Sequence, residues 1–326
     1  MKVDGTHKYN PSLRKATKSS NKGEPTTVNN AYFVDDAAYL LMNRKDLEDA
    51  AKLIKSHFRR FGLTVHCGDK RNNASSKTEA MFIPGARCTA EPEDTADIML
   101  NENEYFGFCE TFKYLGTTID NKLDDSVDVK KRIHKAAGAF ACTKRVLQDE
   151  KIPVKLRLRA YEATVLNILI FGCESWALKE ENRRKLEACH HMFLRLILKV
   201  SKREVREYHI RNETIREELG CYSLHQSMEL RRARWLEKLA KMPATRNPRK
   251  VFVSWTPKAR PIGRPTQSIR HGYASTVETS LGFQNSNFNT WMGVARNHQQ
   301  WANRVEKYLG LRPGTYKKFK IRRLQT

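Results

Sequence analysis

The chain has 326 residues, enough for about two domains, and 40% of them are apolar, enough for genuine cores. Its 60 Lys/Arg outnumber 36 Asp/Glu, a formal net charge of +24. That surplus argues against an electrostatically indifferent surface and points to a polyanion, nucleic acid first and an anionic membrane surface second. A solubilising surface with no partner is the third reading.

The charge is unevenly spread. Residues 1–125 carry 18 Lys/Arg against 19 Asp/Glu, and residues 126–326 carry 42 against 17, so the whole surplus lies in the last two-thirds. The seven cysteines at 67, 88, 109, 142, 173, 189 and 221 are odd in number and contain no Cys-x-x-Cys pair. That pattern suits a reducing compartment rather than a disulfide scaffold. Cys189-His190-His191 and the Cys221/His225 pair lack paired knuckles and read as helix residues rather than zinc ligands. The N-terminus has no signal-peptide core. The longest apolar run, Val165 to Phe171, is far too short to span a bilayer. The expectation is a soluble intracellular protein with no membrane partner; nothing separates nucleus from cytoplasm, and the oligomeric state is unknown.

Residues 1–30 are rich in Lys, Ser, Thr and Asn and read as disordered. Residues 31–42 follow as two apolar runs around Asp35-Asp36, which predicts a strand, a tight turn carrying both acids, and a returning strand. Such a tip can present carboxylates to Mg²⁺. Lys45 to Phe61 has Leu47, Ala50, Ala51, Ile54, Phe58 and Phe61 at helical spacing, with Gly62 as its stop. Leu63–His66 and Thr78–Ile83 read as strands around a polar loop at 68–76. Asp97–Leu100 and Tyr105–Phe108 suggest a hairpin, and Phe112 to Ile119 a last strand.

After Asp124-Asp125-Ser126 the pattern becomes helical. Val127–Leu147 predicts a helix exposing Lys130, Lys131, Arg132, Lys135, Lys144 and Arg145. A second helix starts at Pro153 and runs to about Phe171, burying Leu156, Tyr161, Val165, Leu166 and Leu169. Glu180–Leu198 buries Leu186, Cys189, Met192, Phe193, Leu196 and Ile197. Asn212–Leu219 and Ser223–Lys241 follow, and short turns between helices predict an all-α bundle. The tail mixes an extended basic linker at 260–265 with a small helix around Trp291, Val294, Trp301, Val305 and Leu309. Trp176 and Trp235 read as core residues rather than base-stacking platforms. Arg231, Arg232 and Arg234 read as phosphate contacts.

Taken in order, these motifs resemble the reverse transcriptases of non-LTR, LINE-like retrotransposons over about residues 31–270. Phe33-Val34-Asp35-Asp36 is similar to the catalytic turn of that family. The helix at 45–61 with Lys77-Thr78 is similar to the next palm motif. Phe112-Lys113-Tyr114-Leu115-Gly116 is similar to the primer grip, a tight strand turn. Phe171-Gly172-Cys173-Glu174-Ser175-Trp176, Arg231-Arg232-x-Arg234-Trp235-Leu236 and Gly263-Arg264-Pro265 resemble later family segments.

The resemblance implies an α+β fold: a partial polymerase palm at 31–125, an antiparallel sheet with helices, then an all-α thumb-like bundle at 126–242 and a basic, Pro-containing linker with a small helical region at 243–326. It implies RNA-directed DNA polymerase (nucleotidyltransferase) ancestry, with RNA and DNA as partners and Mg²⁺ held by Asp35 and Asp36. Lys77 then assists proton transfer or is simply a strand-entry lysine, and Arg231, Arg232, Arg234 and Arg264 bind nucleic acid. The family also places a catalytic aspartate on a strand well before the turn, and here the only earlier acids are Asp4 and Glu24. The expectation is therefore a truncated, catalytically incomplete homologue in which Mg²⁺ is bound weakly or not at all. A non-catalytic RNA- or DNA-binding module or accessory factor, and a translated relic of a decayed element, remain the alternatives.

Overall fold

The computed structural model describes residues 2–5, 25–27, 30–84, 92–255, 273, 276–283 and 288–316. Helices dominate and the strands form small, mostly antiparallel sheets, so the class is mixed α+β. Among the described residues no helix is long and apolar enough to cross a membrane. The chain divides into two compact units, Thr27–Asp128 and Val129–Thr326, the latter joined by Lys2–Thr26. Thr27–Asp128 holds 12 Lys/Arg against 18 Asp/Glu, and the rest of the chain 48 against 18. Two strands occur in the segment read as disordered, Lys2–Gly5 (β1) and Pro25–Thr27 (β2); the rest of residues 1–29 lies outside the described residues.

The first unit opens with the expected hairpin, Asn30–Phe33 (β3) and Asp36–Tyr39 (β4), paired antiparallel with Phe33 opposite Asp36. Arg44–Arg60 (α1) follows. Its Asn43 cap accepts the Asp46 N–H at 2.8 Å, supplying one of the donors that a helix start leaves open. Ala51 is buried and Leu47 packs beside it. Phe61, expected on the inner face, is 70% exposed because it lies beyond the last helical turn. Gly62 ends the helix at φ +73°.

Three short strands, Gly68–Asp69 (β5), Glu79–Ala80 (β6) and Ile98–Met99 (β7), pair with Glu104–Phe108 (β8). β5 and β7 run antiparallel to β8, whereas β6 runs parallel. The strand expected at 63–66 does not form, because these residues lie without a ladder between the helix stop and β5. Only two residues of the strand expected at 78–83 pair with β8 before Pro84, which has no N–H to donate. The unit's core is small: Ala51, Ala80, Ile98 and Phe106. Arg44 ties α1 to the sheet by donating to the carbonyls of Ala96 (2.6 Å) and Asp97 (2.8 Å), and Lys55 pairs with Glu104.

The stretch 112–119, expected as one strand, is a hairpin of Thr111–Tyr114 (β9) and Thr117–Asp120 (β10). Its two-residue turn holds Leu115 at φ +45° and Gly116 at φ +88°. Positive φ at both central positions defines a type I′ turn, which suits Asn-Gly far better than Leu-Gly. Leu115→Asn is expected to stabilise this hairpin by about 0.5–1 kcal/mol, read as a higher denaturation midpoint at unchanged m-value.

The second unit starts along Ser126–Leu147 (α2). Val154–Tyr161 (α3), with Pro153 at its N-cap, continues through a π-turn at Glu162–Leu166 into Asn167–Leu169 (α4). Glu180–Ile197 (α5), Lys202–Glu207 (α6), Asn212–Leu219 (α7) and Leu224–Lys241 (α8) complete the bundle. Its first core joins Val129, Phe140, Tyr161, Val165, Leu169, Trp176, Leu186 and Phe193, with Phe140 and Phe193 stacked at 4.9 Å.

Four residues of the bundle differ from the expected inside-outside pattern. Arg132 is buried, with its guanidinium 4.5 Å over the Phe171 ring. Leu156, Met192 and Leu196 are exposed, while Arg157, Leu158, His190 and Leu194 are buried. Arg157 turns inward because three carbonyls take its donors: Ile197 at 2.9 Å, Ile152 at 3.0 Å and Leu147 at 3.5 Å. One guanidinium thereby serves the carbonyl-rich C-terminal ends of α2 and α5.

The described residues of the C-terminal region belong to the fold. Asn247–Val253 (α9) leads to Ser254–Trp255 (β11), which pairs with β1. Phe288–Arg296 (α10) and His298–Tyr308 (α11) share a second core with α8 that includes Leu236, Ala240, Trp291, Trp301 and Val305. Trp301 Nε1 donates to the Ala233 carbonyl at 3.1 Å, and Tyr316 OH donates to Glu237 at 2.7 Å. Gly220 closes α7 at φ +65° and its carbonyl accepts from Arg312 at 3.0 Å. The α8 helix thus belongs to both cores, which explains its broad apolar circumference.

Candidate functional site

The acidic turn is a two-residue loop, Val34-Asp35, with Asp36 already the first residue of β4. The sequence reading put both acids in the turn; the register puts one in the turn and one on the strand. Val34 has φ +56° while Asp35 does not, the pattern of a type II′ turn. A β-branched residue there is strained, so the tip is held by the flanking ladder rather than by its own preference. Asp35 and Asp36 are both exposed. Among the described residues no three His, Cys, Asp or Glu side chains come together as an ion-binding cluster. Two exposed carboxylates do not match the donor set of a two-metal phosphoryl-transfer centre, whose acids bridge both ions.

Lys77 is exposed in the bend before β6, with its backbone N–H directed at His66 Nδ1, 3.4 Å away. The loop before it is a tight turn, not a flexible insertion. Asp69 accepts the Arg71 N–H at 2.9 Å and the Asn72 amide at 2.7 Å, and Asp69 and Ala74 form a bridge. These bonds hold the Asp69 carboxyl below its usual range.

The grip-like residues lie on β9 and its turn. Phe112 and Tyr114, two apart on a strand, share one face with rings 6.3 Å apart. Both are half-buried, and Lys113 is exposed on the other face, opposite Thr118. Leu115 is exposed at the tip and Gly116 half-buried. The hairpin is anchored where Thr118 N–H donates to the buried Asp128 at 3.0 Å.

The arginines of α8 serve the fold. Arg231 donates to Asn167 Oδ1 at 2.5 Å and to the Ile170 carbonyl at 3.5 Å. Arg232 donates to the Trp176 carbonyl at 3.2 Å and pairs with Glu229 at 3.1 Å. Arg234 donates weakly to the Thr315 carbonyl at 3.5 Å and lies 5.7 Å over the Tyr316 ring; its residue as a whole is exposed. Arg231 and Arg232, read from local charge as phosphate contacts, sit on a helix that packs into both cores, and both guanidiniums reach loop carbonyls. Trp176 is core, and Trp235 is partly buried against the second core. Arg264 lies outside the described residues.

A run of open cations lies on α2. Lys130, Lys131, His134, Lys135, Lys144 and Arg145 are exposed, and no acid occurs between Asp128 and Asp149. Among the described residues Lys131, Lys135, Lys144 and Arg145 take no ion pair. On α5, by contrast, Arg183, Arg184 and Lys185 are neutralised by Glu180, Glu181 and Glu187. Lys131, Lys135, Gly138, Cys142 and Arg145 recur at helical spacing along one face. The acid-free run was the available signal: it marks unneutralised positive charge, whereas a count of arginines does not. No protein-family model, curated protein or solved structure matches this chain.

Proposed function

We propose that the chain is a non-LTR reverse-transcriptase homologue that has kept nucleic-acid affinity and is catalytically incomplete by itself. The observation that carries the reading is the ordered series: an acidic two-residue turn on a β-ribbon, an amphipathic helix, a Lys-Tyr-Leu-Gly hairpin, then a cationic helical unit. In this reading the exposed face of α2 holds the sugar-phosphate backbone of RNA or DNA, through Lys131, Lys135 and Arg145, with little sequence preference. Asp35 and Asp36 mark the position of a polymerase turn without completing it.

A primer-extension assay with an RNA template, deoxynucleotides and Mg²⁺ tests the incompleteness. No extension above background is expected. Metal-dependent extension by this chain alone, abolished by Asp35→Ala, would overturn it. The alternative, a binding module with no polymerase ancestry in its action, is favoured by the acid-free face of α2, which needs nothing from the turn. It expects salt-steep binding with little sequence preference that survives Asp35→Ala, and no measurable binding at low salt would rule it out.

A further inference from the structure

The β3–β4 ribbon is the least covered element of the first unit. All four residues of β3, Asn30-Ala31-Tyr32-Phe33, are exposed, and the packing seen on the strand is the Tyr32 ring against Tyr39 of its own ribbon, 5.8 Å away. Among the described residues β3 pairs with β4 alone. Large apolar side chains crowd the same segment: Tyr32 is 59% exposed, Phe33 58%, Val34 92% and Met42 81%, with Leu40 and Leu41 also exposed. A two-stranded ribbon of this kind is marginal in water. Natural edge strands are blunted by Lys, Pro, a bulge or an inward charge, and β3 has none of these.

We propose that β3 pairs antiparallel with β3 of a second copy of this chain, making a four-stranded sheet across a two-fold axis. Three observations select that occupant. An uncharged antiparallel edge is its own complement under two-fold symmetry, and Asn30-Ala31-Tyr32-Phe33 brings no like charges opposite each other. The ladder leaves the right groups open. In a two-residue hairpin the closing pair, Phe33 with Asp36, is hydrogen-bonded, as is Ala31 with Ala38. Asn30 and Tyr32 therefore turn their N–H and C=O groups outward. The apolar side chains are at hand as well: Tyr32, Phe33 and Val34, on β3 and its tip, are each more than half exposed. Antiparallel pairing puts the two acidic tips at opposite ends, separated by about 20 Å at ~3.4 Å per residue, beyond the ~8 Å screening length at physiological salt.

The test is sedimentation velocity of the full-length, nuclease-treated chain in reducing buffer at high salt, over a micromolar concentration range. A reversible monomer–dimer equilibrium is expected. Tyr32→Pro, which removes an outward N–H and leaves the Phe33 and Ala31 ladder bonds, is expected to weaken dimerisation at least tenfold. Tyr32→Lys gives the same result by placing a charge at the edge. Hydrogen exchange on the unaltered chain supplies a readout that needs no variant: the Asn30 and Tyr32 amides are expected to be more protected at high than at low concentration. A monomer throughout, an unchanged dimer in both variants, polydisperse aggregate, or concentration-independent exchange at these two amides would each overturn the proposal.

Discussion

Replacing Lys131, Lys135 and Arg145 together by glutamine is expected to weaken oligonucleotide binding on the order of 10²-fold at physiological salt. The log–log salt slope should flatten by about 2–3 units, because each phosphate contact contributes roughly 0.7–0.9. These side chains are exposed on one face of α2 and, among the described residues, free of ion pairs, so thermal stability should stay nearly unchanged. Arg231→Gln with Arg232→Gln should do the opposite. Those guanidiniums bond Asn167, the carbonyls of Ile170 and Trp176, and Glu229, and stranding such partners costs about 1–3 kcal/mol each. The pair should lower Tm with little effect on the salt slope. Fluorescence anisotropy over a salt series and a thermal melt on the same samples separate the outcomes. Equal slope losses in both sets would mean that the α8 arginines leave their carbonyls to bind phosphate.

The second large effect is acid destabilisation centred on His190. Its ring is buried in the first core and its Nδ1 lies 2.7 Å from the Tyr161 hydroxyl. Burial, reinforced by neighbouring His191 and Arg216, pushes its pKa down to about 3. The folded state thus keeps His190 neutral where the unfolded chain, with a histidine near 6.5, takes up a proton. Stability should be fully present above pH ~6.5 and fall by about 1.4 kcal/mol per pH unit below it, until the folded pKa is approached. His191, half-buried with Nε2 2.9 Å from Arg216, is shifted the same way by burial and that charge, and adds to the loss. His190→Asn, which can accept from Tyr161, should flatten the stability profile between pH 6.5 and 4 to what His191 and the carboxylates supply. Urea melts across that range read it directly. An unchanged slope in the variant would show that His190 titrates normally in the folded chain.

The parts of the fold legible in the sequence are those governed by local chemistry. The α1 helix has its periodicity, its Asn43 cap and the Gly62 stop, all within one segment. The hairpin around Asp35-Asp36 is set by two apolar runs and a two-residue gap. The α2 and α5 helices are long enough for periodicity to average out. What was illegible depended on distant partners. By composition Phe112 to Ile119 reads as one strand, because Leu115 gives no turn signal; only Gly116 and the likeness of 112–116 to a tight strand turn point to the hairpin, and the I′ turn is imposed on Leu115 by the ladder. Arg157 looks like one more surface cation, and its burial follows from two helix ends converging on it from 10 and 40 residues away. Residues 63–66 have strand-forming composition, but among the described residues they form no ladder beyond a lone bond from the Thr78 N–H to the His66 carbonyl.

The candidate site divides the same way. The position of Asp35 at a hairpin tip was readable; the placement of Asp36 on the returning strand required the register. The cationic character of the helical unit was plain from charge counts, but which of its cations face solvent required the structure. Arg231-Arg232-x-Arg234 reads as a cationic cluster, yet α8 packs into two cores and two of its guanidiniums turn to carbonyls. The α2 helix borders one, and its acid-free stretch leaves its cations to solvent.

The measurement closest to the central claim is the salt dependence of nucleic-acid binding by the unaltered chain. Anisotropy titrations with a labelled RNA–DNA duplex and with scrambled sequences should give steep log–log slopes of similar value for every sequence, with affinity lost progressively as salt rises. Absence of binding at low salt, or binding indifferent to salt, would contradict the assignment of the cationic helical unit to a sugar-phosphate backbone.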